Sequence, residues 1–202
     1  MLVIDAGSPR NAPATEMHGF VSRDGIPPAD FLAIARNEVS RYGATIVAAS
    51  VDTIERGVDG SFTVSLSTGS ELSARAVLVA TGLTDELPQI DGVRDRWGTL
   101  VHPCPYCHGY EVLGHTIVVI GRPVREMSLK QAGLLRRFSD HVTFVTNGIS
   151  LTPPERHRLE SFGITVVDGQ VSHLIGEAGS LGGVALADGT AIDCDAVFIA
   201  PS

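Results

Sequence analysis

Short apolar runs alternate with a segment of helical periodicity in the second half of the chain. Residues 116–120 and 142–145 are nearly continuous apolar runs, as is typical of buried parallel strands. Between them lies a predicted helix, residues 126–138, whose apolar residues are Met127, Leu134, Leu135 and Phe138. Because parallel neighbours need a crossover connection, this order predicts a βαβ unit and an α/β protein.

The first half of the chain shows a similar alternation. A short apolar strand, Leu2–Ile4, ends at Asp5. A predicted amphipathic helix is introduced by Pro27-Pro28 and closes at Gly43. Short strands with turns between them follow, and the apolar run Ala76–Ala80 predicts a last strand. We therefore predict two Rossmann-like α/β units with antiparallel strand excursions.

The segment from Leu83 to Gly98 separates the two units. It contains Pro88 and Gly92, scattered charge and no clean period, which favours a connection. The predicted domains are residues 1–98 and residues 99–202.

Composition excludes several classes of protein. The 202 residues are 44% hydrophobic and carry a net charge of -8, so the chain is globular and lacks the basic surface of nucleic-acid or anionic-membrane binders. No apolar stretch approaches the roughly 20 residues that cross a bilayer, and no secretory signal opens the chain. Three cysteines argue against a disulfide-stapled secreted fold. We expect a cytoplasmic protein with small-molecule or protein partners.

The stretch Cys104-Pro105-Tyr106-Cys107-His108 carries the clearest chemistry. Two thiols separated by two residues can open and close a small disulfide with little backbone movement. The adjoining histidine ordinarily titrates near neutral pH and can exchange a proton with a thiol. We therefore predict a dithiol/disulfide pair with His108 as its acid/base.

Two other interpretations of the pair remain open at this point. Zinc is one, because nearby His102 and His115 add ligand types, although a structural site would bring a second spaced cysteine pair. An inert pair is the other. The only other cysteine, Cys194, is predicted to be a buried packing residue. The histidines that the pattern leaves as ordinary surface or packing residues are His102, His115, His141, His157 and His173.

Residues 104–111, Cys-Pro-Tyr-Cys-His-Gly-Tyr-Glu, support a family resemblance. With Val77–Gly82 before them and the strand Ile117–Gly121 after them, they resemble thioredoxin-reductase-like flavoproteins of the pyridine nucleotide-disulfide oxidoreductase superfamily. The histidine after the second cysteine is similar to the branch of dithiol oxidases that form disulfides in natural products. The resemblance implies two three-layer ββα FAD/NAD(P)-binding units, a homodimer and a dithiol or disulfide substrate.

The resemblance also implies roles for individual residues. Cys107 would face the flavin, Cys104 would exchange with substrate, and His108 would replace the family's acid.

Other positions match the family's FAD contacts. Asp5 would bind the adenosine ribose of FAD, and Val51 would lie beside the adenine. Ala80, Thr81 and Gly82 would form the turn that passes close to FAD, and His18 would fall in the loop near the isoalloxazine.

The sequence departs from the family in three places. The family's first strand, glycine-rich turn and helix would precede Met1, and its closing Gly-Asp segment would follow Ser202. The nicotinamide turn should place small residues at 121, 123 and 126, but only Gly121 fits, and residues 145–148 contain no arginine for an NADP phosphate. We expect an incomplete member of the family that does not use NADPH in the ordinary way.

Our leading hypothesis is an FAD-dependent dithiol/disulfide oxidoreductase of dithiol-oxidase type. An NAD(P)H-dependent thioredoxin reductase is one alternative. A truncated, non-catalytic remnant that no longer binds flavin is the other.

Overall fold

The computed structural model describes residues 1–177 and 179–201, so Ala178 and Ser202, the last residue of the predicted second domain, fall outside it. The chain forms two compact units, Met1–Thr84 and Asp85–Ser202. Most of the segment predicted as a connection belongs to the second unit, because it contributes a short helix, α2 (Val93–Arg96).

The first unit combines a parallel strand pair with an antiparallel meander. Helix α1 (Pro28–Arg41) begins on a proline, whose fixed φ suits a first helical turn, and ends before Gly43 at φ 79°. It connects β1 to β2, which pair in parallel, and β3, β4 and β5 form the meander. These strands are β1 (Leu2–Asp5), β2 (Thr45–Ala48), β3 (Val51–Arg56), β4 (Phe62–Leu66) and β5 (Glu71–Ala74).

The strand predicted at residues 76–80 is wrong, because the backbone there forms no regular secondary structure. Val77 packs against a small core around Val64, whereas Leu78 and Val79 are 92% and 64% exposed. A strand exists only where a neighbour accepts and donates its backbone hydrogen bonds, and none of the described strands pairs with this segment.

The second unit is built on a five-stranded sheet in the order β6-β13-β7-β8-β9, with every neighbouring pair parallel. Helix α4 (Arg125–Leu135) crosses from β7 to β8, and α5 (Pro153–Ser161) crosses from β8 to β9. This confirms the predicted βαβ unit. The strands are β6 (Val101–His102), β7 (Ile117–Ile120), β8 (Val142–Val145), β9 (Thr165–Val167) and β13 (Ala196–Ile199).

Alternate side chains of β7 serve two different cores. Ile117 and Val119 pack with Leu135 of α4, whereas Val118 and Ile120 pack with an antiparallel sheet on the opposite face. That sheet consists of β10 (Val171–Ile175), β11 (Gly183–Leu186) and β12 (Ala191–Asp193). Helices, parallel sheet and antiparallel sheet form the three layers that the resemblance implies, so the α/β Rossmann-like fold class is confirmed.

The start of α5 carries a capping box. Thr152 donates its backbone N–H and its hydroxyl to Glu155 Oε2, each at 2.8 Å, as a Thr-Pro-Pro-Glu start predicts. In the described part of the chain, no helix is long and apolar enough to cross a membrane.

Candidate redox site

The dithiol motif follows the edge strand β6. Helix α3 (Pro105–His108) is a single turn with Pro105 at its start, and Cys104 stands just before it in an extended conformation. The Cys104 carbonyl accepts the backbone N–H groups of Cys107 at 3.2 Å and His108 at 3.1 Å. This tight turn brings both thiols together.

The two sulfur atoms lie 2.9 Å apart. Cys107 is exposed and Cys104 is half-buried, so an external thiol can approach the pair. Cysteines placed in this way can form and break a disulfide through side-chain movement alone.

His108 is buried beside the pair, with 7% of its surface exposed. Its Nδ1 lies 3.2 Å from Glu111 Oε2. A carboxylate accepts hydrogen bonds, so Glu111 can accept one from an Nδ1–H of this ring.

His102 lies against the same ring. The His102 and His108 rings stack with their centroids 4.5 Å apart. Phe198 also packs on the His102 ring, with a centroid distance of 5.1 Å. Burial, followed by the charge of His108, lowers the pKa of His102 to about 3. His102 is therefore neutral at neutral pH, and His108 is the histidine suited to proton exchange.

The prediction of His102 as an ordinary surface or packing residue missed this contact. The signal lies in the strand register, which sets His102 opposite Phe198 of β13. Sequence periodicity does not reveal a pairing between residues so far apart in the chain.

Helix α4 supports the turn from outside. Gln131 donates to the Pro103 carbonyl at 2.9 Å, immediately before Cys104. A Cβ at Gly109 would lie 2.5 Å from the Pro105 carbonyl oxygen and 2.6 Å from the Phe138 ring, so glycine is required for this close packing.

The third cysteine, Cys194, is buried and is not part of the thiol pair. Cys194 is 4% exposed in the core of the second unit, and burial, followed by Asp195 and Asp193, raises its pKa to about 12. Its predicted packing role is confirmed. In the part of the chain that the structure covers, no three His, Cys, Asp or Glu side chains converge as a metal site.

The first unit contains the residues predicted to contact FAD. Asp5 ends β1, and its carboxylate accepts the Gly7 N–H at 2.8 Å and Arg36 Nη2 at 2.6 Å. The hydrogen bond from Arg36, followed by that from Gly7, lowers the pKa of Asp5. Its side chain is 35% exposed, so this ionised carboxylate can accept further hydrogen bonds.

The remaining predicted FAD contacts differ in environment. Val51 begins β3 and is 39% exposed, and His18 is half-buried between Glu16 and Asp24, at 3.8 and 3.5 Å. The loop 80–82 is exposed, and Gly82 has φ 69°. The roles of these residues stay predictions.

The turn after β7 has few free amides. Gly121 donates its N–H to the Val145 carbonyl at 2.8 Å, Arg122 donates its own to Ser128 Oγ at 3.1 Å, and Pro123 has none. Amides of this kind hold the pyrophosphate in dinucleotide-binding turns, and those of Gly121 and Arg122 already have partners within the chain.

The second unit thus combines a three-layer fold with a two-residue-spaced thiol pair and an adjoining histidine. The profile of the pyridine nucleotide-disulphide oxidoreductase family matches residues 9–201, and the chain belongs to this family, on its thioredoxin-reductase-like side. The resemblance stated from the sequence is thus confirmed.

Three similar proteins illustrate the relationship. The crystal structure of HlmI shares 45% identity and a TM-score of 0.92, covering 99% of this chain and 63% of that one. The oxidoreductase from Agrobacterium tumefaciens shares 36% identity and a TM-score of 0.89, covering 100% and 66%. Thioredoxin reductase tcpT of Claviceps purpurea is 32% identical over 154 residues, 73% of this chain and 48% of that protein. The chain therefore spans about half the length of this curated relative.

Proposed function

We propose that this protein is an FAD-dependent dithiol/disulfide oxidoreductase whose Cys104–Cys107 pair oxidises a substrate dithiol. The observation that carries the proposal is the pair of sulfurs 2.9 Å apart beside the buried His108. Family membership supports thiol redox chemistry over an inert pair.

The exchange takes place in two displacements. One substrate thiolate attacks Cys104 Sγ of the Cys104–Cys107 disulfide, which forms a mixed disulfide and releases the Cys107 thiolate. The second substrate thiolate attacks the substrate sulfur of that mixed disulfide and releases Cys104. The substrate loses two electrons and two protons and becomes a disulfide, and the pair gains both electrons. His108 Nε2 takes the proton from an attacking thiol and returns it to a released thiolate.

The reduced pair then needs a two-electron acceptor, and FAD supplies that chemistry when bound. Asp5 suits it, because a partly exposed, ionised carboxylate at a strand end can accept ribose hydroxyls. Loop 80–82 suits a close backbone approach, since a Cβ at Gly82 would meet nothing within 4 Å. Val51 and His18 are proposed further contacts.

An NADPH-driven thioredoxin reductase is the second candidate, because relatives such as tcpT carry that name. The turn at Gly121 argues against this NADPH-dependent function. Besides the occupied amides, the carboxylate of Glu126 lies next to the turn and would repel a phosphate. This carboxylate is 2.8 Å from Lys130 Nζ.

Anaerobic reduction of the FAD-reconstituted chain separates these functions. We expect dithiothreitol, but not NADPH, to bleach the flavin absorbance near 450 nm. Cys104→Ser should keep the flavin and lose the bleaching, while Cys194→Ser should retain both.

Three results would count against the proposal. Bleaching by NADPH would support the reductase, and bleaching that survives in Cys104→Ser would remove the exchange role of Cys104. A folded chain that takes up no flavin would support the non-catalytic remnant.

A further inference from the structure

Glu111 lies next to the acid/base of the proposed exchange but takes no part in that reaction. It follows His108 by three residues, and its side chain is 26% exposed. Its Oε2 lies 3.2 Å from His108 Nδ1, at the edge of the imidazole ring.

The two ring nitrogens of a neutral histidine are not equivalent. One carries the proton and the other accepts one, and the hydrogen bond made by the first decides which is which. A carboxylate at Nδ1 selects the tautomer with its proton on Nδ1, so that Nε2 remains basic.

Among the contacts described for His108, the one at a ring nitrogen is made by Glu111. From β6, His102 stacks on the face of the ring and stays neutral, so it supplies no competing charge at neutral pH. Helix α4, which packs on α3, contributes the uncharged Gln131, whose amide is directed to the Pro103 carbonyl. Cys104, Tyr106 and Cys107 are the titratable groups that precede His108 in the turn.

We propose that Glu111 is a positioning residue, which fixes the tautomer of His108 with its proton on Nδ1 and leaves Nε2 to accept a proton. The role in exchange rests on the proposed function, whereas the tautomer itself does not. Glu111 thus acts on the reacting thiols only through His108.

The test combines nitrogen NMR of His108 with exchange kinetics in the reduced chain, without added flavin. Two-bond nitrogen–proton correlation spectra should show the His108 proton on Nδ1. Glu111→Gln keeps an acceptor oxygen, so the tautomer should persist. Glu111→Leu should remove the Nδ1 preference. Glu160→Gln, on the exposed surface of α5, is the matched control and should match the wild type.

Exchange of the oxidised pair with dithiothreitol provides the second measurement. We expect Glu111→Leu, which loses the Nδ1 acceptor, to lower the plateau rate about tenfold, whereas Glu111→Gln should retain most of it. A wild-type proton on Nε2, or a Glu111→Leu spectrum like that of the wild type, would overturn the proposal. If the tautomer changes while exchange does not, Glu111 still positions His108, and it is the acid/base role of His108 in the proposed function that fails.

Discussion

Two histidines six residues apart receive different protonation behaviour from their surroundings. His102 lies between an imidazole and the Phe198 ring, and its Nδ1 is buried without a hydrogen-bond partner among the described residues. His108 meets a carboxylate. Burial therefore keeps the His102 ring neutral at neutral pH.

The lowered pKa of His102 predicts that the free energy of unfolding decreases as the pH falls. The pKa of His102 is about 3 in the folded chain and ordinarily near 6.5, so the unfolded state binds the extra proton between these values and stability falls as pH falls. From about pH 7.5 to about pH 5.5 this one group should cost about 1.4 kcal/mol of unfolding free energy. Urea unfolding of the wild type and His102→Phe at both pH values measures the difference. An identical pH dependence in the two proteins would contradict it.

At the scale of elements, the turn that holds Cys104 and Cys107 depends on close packing between α3 and the end of α4. Gly109→Ala would drive a Cβ into the Pro105 carbonyl and the Phe138 ring. We expect it to lower the unfolding free energy by about 1–3 kcal/mol, because overpacking forces backbone shifts, and to slow exchange at the displaced thiols.

Gly133→Ala is the matched control. A Cβ at Gly133, within α4, would meet nothing within 4 Å, so alanine there should stabilise the helix by about 0.5–1 kcal/mol. Chemical denaturation of both variants tests the pair. Equal effects of the two substitutions would show that Gly109 has no special packing role.

The elements that were predictable from sequence are those with local signals. The apolar run of β7, the helical spacing of α4 and the capping box at Thr152 each lie within a short window, and all three appear in the structure. The run 76–80 has equally apolar residues but forms no strand, because strand formation depends on a partner elsewhere in the chain. The contact of His102 with Phe198 depends on a pairing of that same long-range kind.

At the scale of the whole molecule, the second unit contains the thiol pair and the first contains the predicted FAD contacts. Short motifs predicted the thiol chemistry, because two cysteines and a histidine in one turn are necessarily close in space. The contribution of Glu111 was not predicted, since the side-chain contact rather than the spacing reveals it. The proposed function depends on the Cys104–Cys107 pair acting as one two-electron couple.

Titration of the thiols in dithiothreitol redox buffers tests that dependence most directly. After alkylation and mass analysis, Cys104 and Cys107 should change together in one transition with a slope of about 30 mV per tenfold change in ratio, as expected for two electrons. Cys194, buried and with a pKa of about 12, should be alkylated only after unfolding and so serves as the internal reference. Thiols that titrate separately, or a stoichiometric zinc ion holding both, would contradict the account.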